Sequence, residues 1–587
     1  MSLASLMNKL TAILDGWRQN RGELLCGLIL TVMGVNLVSQ AARKSLTNDE
    51  LVHIPSAHRY LIAGDFRFNP EHPPLAKLWA AMPLPFVHLR YTQPPERSNQ
   101  DFLQFTSTYS SEFWQLNEGN WWAITFWSRA AMIVITLALG GLIFIYARTF
   151  FTLRAAVIAV AIFSLEPTML AHGWIVHTDI PAAFAYLLFF FGLQRYWMHP
   201  TLRQAIWFGL VTGIALVTKF SLAIVAPIFL LVLIYGAVQA RALEPSQLKR
   251  LAQVGLATIT AFVLINAAYF FQHPRLDPQD SNWISIYAGS PLAGQKIINL
   301  LNIISKVVPT YYLFGVYTVY VHNRLGHPSS LLGSYGLHGW WSYFPLTFAL
   351  KTSIPFLLLS VAAILWAAWS TVSKRELIWL SALLAIASFL GMSMFSHVNI
   401  GVRHIAPIFP FLFLLAGAFL DRLLKTRYVR AAMIVAVVLF GWMIFDAVAG
   451  YRNYISFTNS LTLGRANWQV LSDSNVEWGE EIGALAEYLH QQGDTRIMAA
   501  MSATGMTPHL QGLEIVGYPP RDLQSARTRY VAIGASYLNG STVRDDLTDE
   551  NGARLSEAQR VSYFDNYRRL KPERVFGDSI YLYRKSE

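Results

Sequence analysis

Apolar stretches of about 17–25 residues, the length that crosses the hydrocarbon of a bilayer, recur along this chain. Eleven are read, at 23–42, 129–147, 155–171, 180–197, 204–218, 221–239, 252–271, 350–370, 377–395, 403–420 and 431–449. Lys219 divides what would be one long run, and Glu166-Pro167 interrupts the third. The pattern predicts a mainly α, polytopic transmembrane bundle over residues 1–450, with long outer loops at 43–127 and 272–345. From Tyr451 the patterning becomes that of a water-soluble domain. Residues 477–492 place Trp478, Ile482, Leu485 and Leu489 on one helical face, 556–570 read as a second helix, and 496–502, 529–538 and 578–583 read as strands. Residues 451–587 are therefore expected to form a small α/β domain.

Inside the first outer loop the stretch from Asn48 to Lys77 concentrates Asp49, Glu50, His53, His58, Asp65, Glu71, His72 and Lys77. Pro73-Pro74 followed by Leu75, Leu78, Trp79 and Met82 predicts a short amphipathic helix that Pro83 and Pro85 stop. Such a helix lies on a membrane surface, with the partial positive charge of its N-terminus beside Glu71 and His72, an end that suits a phosphate. The density of Phe and Trp between 102 and 122 predicts that the loop skims the headgroups.

Composition agrees with a membrane protein: 54% of residues are hydrophobic and 14% charged, and the mean hydropathy is +0.36. The formal charge of +11 does not point to nucleic acid, because residues 451–587 carry 15 basic and 17 acidic side chains and the excess lies in the membrane half. Thirteen Lys and Arg fall in alternate short loops, from Arg148 and Arg154 through Arg195, Arg203, Arg241, Lys249, Arg250, Lys374 and Arg375 to Arg422, Lys425, Arg427 and Arg430. By the positive-inside bias these loops are cytoplasmic, and the Asn48–Lys77 loop and the C-terminal domain are extracytoplasmic, across a bacterial inner or plasma membrane. The one cysteine, Cys26, excludes intramolecular disulfides and cysteine-based metal sites.

Further candidate chemistry lies at the same outer face. The short loop HGWIVHTDIP brings Asp179 to the start of the fourth run, with His172, His177 and Glu166 close in sequence. Lys219 sits at the outer junction of two runs, and Arg403 and His404 open another; all run against the positive-inside bias. An arginine there would clamp a phosphate, against the alternative of headgroup contact. The C-terminal domain holds no phosphate-binding glycine loop, nucleophile elbow or metal spacing, so it is expected to be structural or to recognise the acceptor.

These residues resemble the GT-C glycosyltransferases that depend on a phospholipid carrier, the protein O-mannosyltransferases and aminoarabinose transferases. The resemblance is carried by Asp49-Glu50, His72-Pro73-Pro74-Leu75 with Lys77, Thr178-Asp179, Gly339-Trp340-Trp341 with Tyr343-Phe344-Pro345 and Lys351, and Gly401 with Arg403 and Pro407. It covers roughly residues 20–420. It implies a sugar donor on a polyprenyl phosphate, inversion at the anomeric carbon, and catalysis outside the cytoplasm by the first-loop Asp. No MIR-like insert stands in the large loop, which leaves the acceptor open among protein, lipid and glycan.

Sugar transfer from a phosphate needs a base for the acceptor hydroxyl and cations for the departing phosphate. Asp49 or Glu50, with Asp179, supplies the carboxylates; Lys77, Lys219, Lys351 or Arg403 supplies the charge, with His72, Tyr343 and His404 as further substrate contacts. Glu71 and His72, with Glu50 and Asp179 on the same face, would also suit a divalent metal; Lys and Arg alone could equally manage the charge. No organic cofactor is expected. The competing class, a transporter or flippase of a lipid-linked sugar, would call for charges buried in mid-span and an internal repeat.

Overall fold

The computed structural model describes residues 3–91, 93, 94, 97, 99–238, 245–549 and 552–586. Within the described residues, each of the eleven apolar runs falls mostly on helix. The membrane half begins with α1 (Leu3–Arg43), α2 (Asn48–Ala63), α3 (Leu75–Ala81), α4 (Phe102–Leu116), α5 (Trp121–Phe150), α6 (Leu153–Leu165) and α7 (Pro167–His172). It continues with α8 (Asp179–Met198), α9 (Leu202–Thr218), α10 (Val225–Val238), α11 (Pro245–Ala268), α12 (Pro278–Tyr287), α13 (Pro291–Ile304) and α14 (Thr310–Leu325). After a hairpin of β1 (Ser329–Leu331) and β2 (Ser334–Gly336) come α15 (Tyr343–Lys351), α16 (Ile354–Ser373), α17 (Leu380–Met394), α18 (Phe409–Leu423) and α19 (Val429–Ala449). Among the described residues, five helical stretches are long and apolar enough to cross a membrane by themselves: Arg21–Arg43, Glu118–Phe150, Ile354–Ser373, Val402–Leu423 and Val429–Ala449. The chain is a multi-pass membrane protein.

α18 is buried almost all round, between α6 and α16, and forms the axis of the bundle, whereas α19 exposes most of its apolar surface, as a rim helix facing lipid does. Four of the cations expected inside form ion pairs: Arg148 with Glu23, Lys425 and Arg154 with Asp421, and Arg422 with Glu376. Arg241 lies outside the described residues.

Both outer loops fold more than the periodicity suggested. The first holds α2 and α4 as well as the predicted α3. In α3, Trp79 and Met82 face outward as an interfacial helix requires, and the Trp79 Nε1 donates to Ala131 O of α5 at 2.7 Å. The second holds α12, α13 and α14; α13 exposes Leu292, Leu300 and Ile303 on an amphipathic helix. α2 escaped the pattern because Pro55 lies inside it and His53, Ser56, His58 and Arg59 are buried on it.

The C-terminal domain comprises α20 (Ile482–Gln491), β3 (Arg496–Ala500), α21 (Thr507–Leu510), β4 (Glu514–Gly517), β5 (Tyr530–Gly534), α22 (Ala535–Leu538), α23 (Glu557–Val561), α24 (Asp565–Arg569), β6 (Arg574–Phe576) and β7 (Ile580–Arg584). Its sheet runs β4-β3-β5-β7-β6, with β4, β3 and β5 parallel and β7 and β6 antiparallel. Ile497 and Ala499 face α20, while Met498 and Ala500 point to the opposite face, near α24; both faces are covered. The α20 core runs on without a break into Leu46, Leu51 and Ile54 of the membrane half. Three expectations are corrected here. The helix read at 477–492 starts only at Ile482, since Gly479 turns the chain at φ +98°. The strand at 529–538 ends at Gly534 and turns into α22, and the helix at 556–570 is two short helices.

Candidate active site

α2 starts at the Thr47 cap, whose N–H donates to Glu50 Oε2 at 2.9 Å, and this places Asp49 in the first helical turn, where the helix dipole favours a carboxylate. The Asp49 side chain, 21% exposed, opens into a cavity of about 380 Å³ whose wall includes His53, Glu71, His72, Lys219, Arg403 and His404. Arg403 enters from the 3₁₀ stretch Val402–Ile408, and Lys219 from the end of α9.

One ion network joins these groups. Arg403 Nη1 donates to Asp49 Oδ2 at 2.8 Å and lies 3.3 Å from Asp179 Oδ2, while Lys219 Nζ pairs with Asp179 Oδ1. His177 Nδ1 lies 2.9 Å from Asp179 N and 3.2 Å from Asp179 Oδ2, and its Nε2 faces His172 O at 2.9 Å. Asp179 is 1% exposed and both its oxygens face cations, which compensates its burial. Asp49 differs: among the described residues no group donates to its Oδ1. Burial pushes the Asp49 carboxyl up, but the Arg403 charge, the charge of His53 and the Arg403 hydrogen bond outweigh it and hold the group below the ordinary carboxylate range.

The remaining wall is rich in imidazole. The His53 and His72 rings meet edge to face at 5.5 Å, and burial, first, lowers both; His53 falls to about 4. Burial raises Glu71 to about 7. Glu71 Oε1 is 3.7 Å from His322 Nδ1, His322 Nε2 is 3.3 Å from His327 Nδ1, and His327 Nε2 is 3.8 Å from Asp473 Oδ2, so a row of titratable groups leads from the cavity towards the C-terminal domain.

Four residues expected at the site are employed elsewhere. Glu50 is fully buried and its carboxylate is bonded by Arg129 Nε and Nη2 at 2.8 and 2.6 Å and by Val176 N at 3.1 Å; it ties α2 to α5 and the 173–178 loop. Lys77 is not part of the cavity wall but donates behind it to Asn69 O and Oδ1 and to the Tyr60 hydroxyl, at 2.7, 2.9 and 2.9 Å, and burial drives its pKa well down. Lys351 donates to Ile455 O and Asn475 O, both at 2.6 Å, and the Tyr343 hydroxyl accepts from Asn475 Nδ2 at 2.9 Å. In each case a polar group buried in packed chain finds its partners there, as burial demands. The Glu71, His72, Glu50 and Asp179 face does not assemble either, since Glu50 faces Arg129. Among the described residues no three His, Cys, Asp or Glu side chains gather as a ligand set, so Glu71 and His72 lack the further ligands a metal centre needs.

The sequence reading missed Ser474 and Trp478. Arg403 Nε donates to Ser474 Oγ at 2.8 Å, and the guanidinium carbon lies 4.0 Å from the centre of the Trp478 ring. The signal available was the polar run Ser472–Glu481, with Gly479 in it; the spacing of Trp478 from Ile482 assigned that run to the amphipathic helix instead.

Residues 110–266 match the family model described as dolichyl-phosphate-mannose-protein mannosyltransferase, within the part of the chain that carries the motif resemblance. No curated protein matches the chain in sequence. Solved structures with a similar course include ArnT from Cupriavidus metallidurans in the apo state, at 14% identity over 89% of this chain and 93% of that one, with a TM-score of 0.46. The same protein bound to undecaprenyl phosphate gives 14%, 90%, 96% and 0.44. The oligosaccharyltransferase of Archaeoglobus fulgidus in complex with Zn and sulfate gives 13%, 87%, 68% and 0.44.

Proposed function

We propose that the protein moves a sugar from a polyprenyl-phosphate donor to a protein, lipid or glycan acceptor, on the extracytoplasmic side of a bacterial inner or plasma membrane, with inversion. The observation that carries this reading is the single Arg403 guanidinium shared between Asp49, which opens to the cavity, and Asp179, which also holds Lys219. The acceptor oxygen attacks the anomeric carbon from the face opposite the phosphate while Asp49 takes its proton. The bond from that carbon to the phosphate oxygen breaks, and its electron pair leaves with the phosphate. Arg403 and Lys219 stabilise the charge that develops there, in a site screened from bulk water. Asp179 orients the two cations. Glu71, His72 and His404 line the space left for sugar and acceptor, and lipids surround the bundle. A single displacement inverts the anomeric centre.

The test is to incubate the purified protein with a panel of polyprenyl-phosphate sugars and with peptide, lipid and glycan acceptors, and to determine the anomeric configuration of the product by NMR. Transfer with inversion is expected. Retention of configuration, or no transfer with any pair, contradicts the reading.

A further inference from the structure

Arg403 is gripped from a part of the chain that lies beyond the last membrane helix. Besides the Ser474 hydroxyl and the Trp478 face, Asn475 Oδ1 accepts from Val402 N at 2.9 Å, and Ser474 Oγ donates to Ile400 O. Gly401, at φ +146°, lies directly against the Ser474 hydroxyl, where a Cβ would collide with it. The turn that carries Arg403 and the stretch from Asp473 to Trp478 therefore fit together at several points.

The same stretch is fastened at its other side to the C-terminal sheet. Asp473 N donates to Ser536 Oγ at 2.7 Å. The Glu477 carboxylate, fully buried, sits at the carboxyl ends of the parallel strands β3 and β5 and accepts the N–H groups of Ser502 at 2.5 Å and Ser536 at 3.2 Å. Gly534 lacks a side chain where that carboxylate passes. In open α/β sheets this crevice is where ligands bind; here the chain's own glutamate fills it.

Arg403 needs such a grip. It stands on a 3₁₀ turn rather than on a long α-helix, and two carboxylates pull on one of its nitrogens. An aromatic face on the guanidinium plane and an acceptor on its opposite edge fix the orientation that a lone ion pair leaves free.

We propose that Ser474 and Trp478 are positioning residues for Arg403, anchored to the C-terminal sheet through Glu477, so that this domain sets the geometry of the phosphate site without touching substrate. The proposal rests on the reading that Arg403 serves the departing phosphate, and it is tested in two ways that separate it from that reading.

In the full-length protein, Trp478→Leu is expected to lose roughly tenfold in kcat/KM per folded molecule. Trp478→Phe, which keeps an aromatic face, recovers most of that loss, and Ser474→Ala falls between. A merely structural role would lower folded yield and Tm in all three while kcat and KM per folded molecule stayed at the wild-type values; that result overturns the proposal. The second test needs no transfer assay. Hydrogen exchange of a peptide covering residues 470–481 is compared between wild type and Arg403→Met, with a peptide over β5 as internal reference. Faster exchange confined to 470–481 is expected. Unchanged exchange, or equal acceleration in both peptides, overturns the proposal whether or not any sugar is transferred.

Discussion

Arg403 Nη1 stands 2.8 Å from Asp49 Oδ2, although the two residues are 354 positions apart in the chain. The contact makes one unit of a cation suited to a departing phosphate and a carboxylate suited to an acceptor proton, and several outcomes follow from it.

Replacing Arg403 with lysine keeps the charge but cannot reproduce the planar fork that meets Asp49, Asp179 and Ser474 while lying on Trp478. Arg403→Lys is expected to lower transfer on the order of a hundredfold, the scale for removing one well-placed donor from a charge-stabilising site. Steady-state kinetics with a radiolabelled donor measures it.

Glu50 and Asp49 are neighbours with opposite assignments. Glu50→Gln leaves the Arg129 guanidinium buried beside a weaker partner, and is expected to cost about 3–5 kcal/mol of stability, the range for breaking a buried pair. The folded fraction that survives should turn over at a near-normal rate per molecule. Thermal unfolding in detergent, together with activity normalised to monodisperse protein, checks both parts.

The pH profile distinguishes the two carboxylates that face the cavity. Asp49 is held below the ordinary aspartate value of about 3.9, so as pH falls the base is lost only below that point. Glu71, which burial pushes up to about 7, would instead lose its basicity near neutrality. A rate of transfer that stays level from pH 7 to 5 is expected; a fall centred near 7 would assign the proton to Glu71.

Glu477 gives a stability signature of its own. Burial raises it from 4.5 to about 8, so between those values the folded protein keeps a proton that the unfolded chain has released. Its contribution is therefore favourable at low pH and is lost progressively as pH rises towards 8. Tm measured from pH 5 to 8.5 should fall more steeply in wild type than in Glu477→Gln, which cannot ionise.

Much of this was legible in the chain because membrane spans and the sites at their outer ends are written in hydropathy and charge. Asp49, Asp179, Lys219 and Arg403 stood out as charged groups where apolar runs begin or end. Glu50, Lys77 and Lys351 stood out by the same signal, and sequence has no means of telling a charge that faces a cavity from one that ties two buried segments together. α2 was hidden by its internal proline and buried polar residues. Trp478 was hidden because its spacing from Ile482 matches a helix whose start Gly479 in fact delays.

The placement of both domains rests on the bias of Lys and Arg, which a single label can read. Ala558 is exposed on α23, far in sequence from the cavity residues. A cysteine there, in a Cys26→Ala background, should react with an impermeant thiol reagent in intact spheroplasts; reaction only after lysis would invert the topology.

The central claim, that Asp49 is the base for transfer, is tested most directly by Asp49→Asn. The variant keeps the size of the side chain and one oxygen that can accept from Arg403, and removes its basicity. Transfer of labelled sugar from a polyprenyl-phosphate donor, measured on protein shown to be folded and inserted, should fall by at least a hundredfold, within the 10²–10⁴ range of general-base contributions. Near-normal turnover by Asp49→Asn would contradict the account.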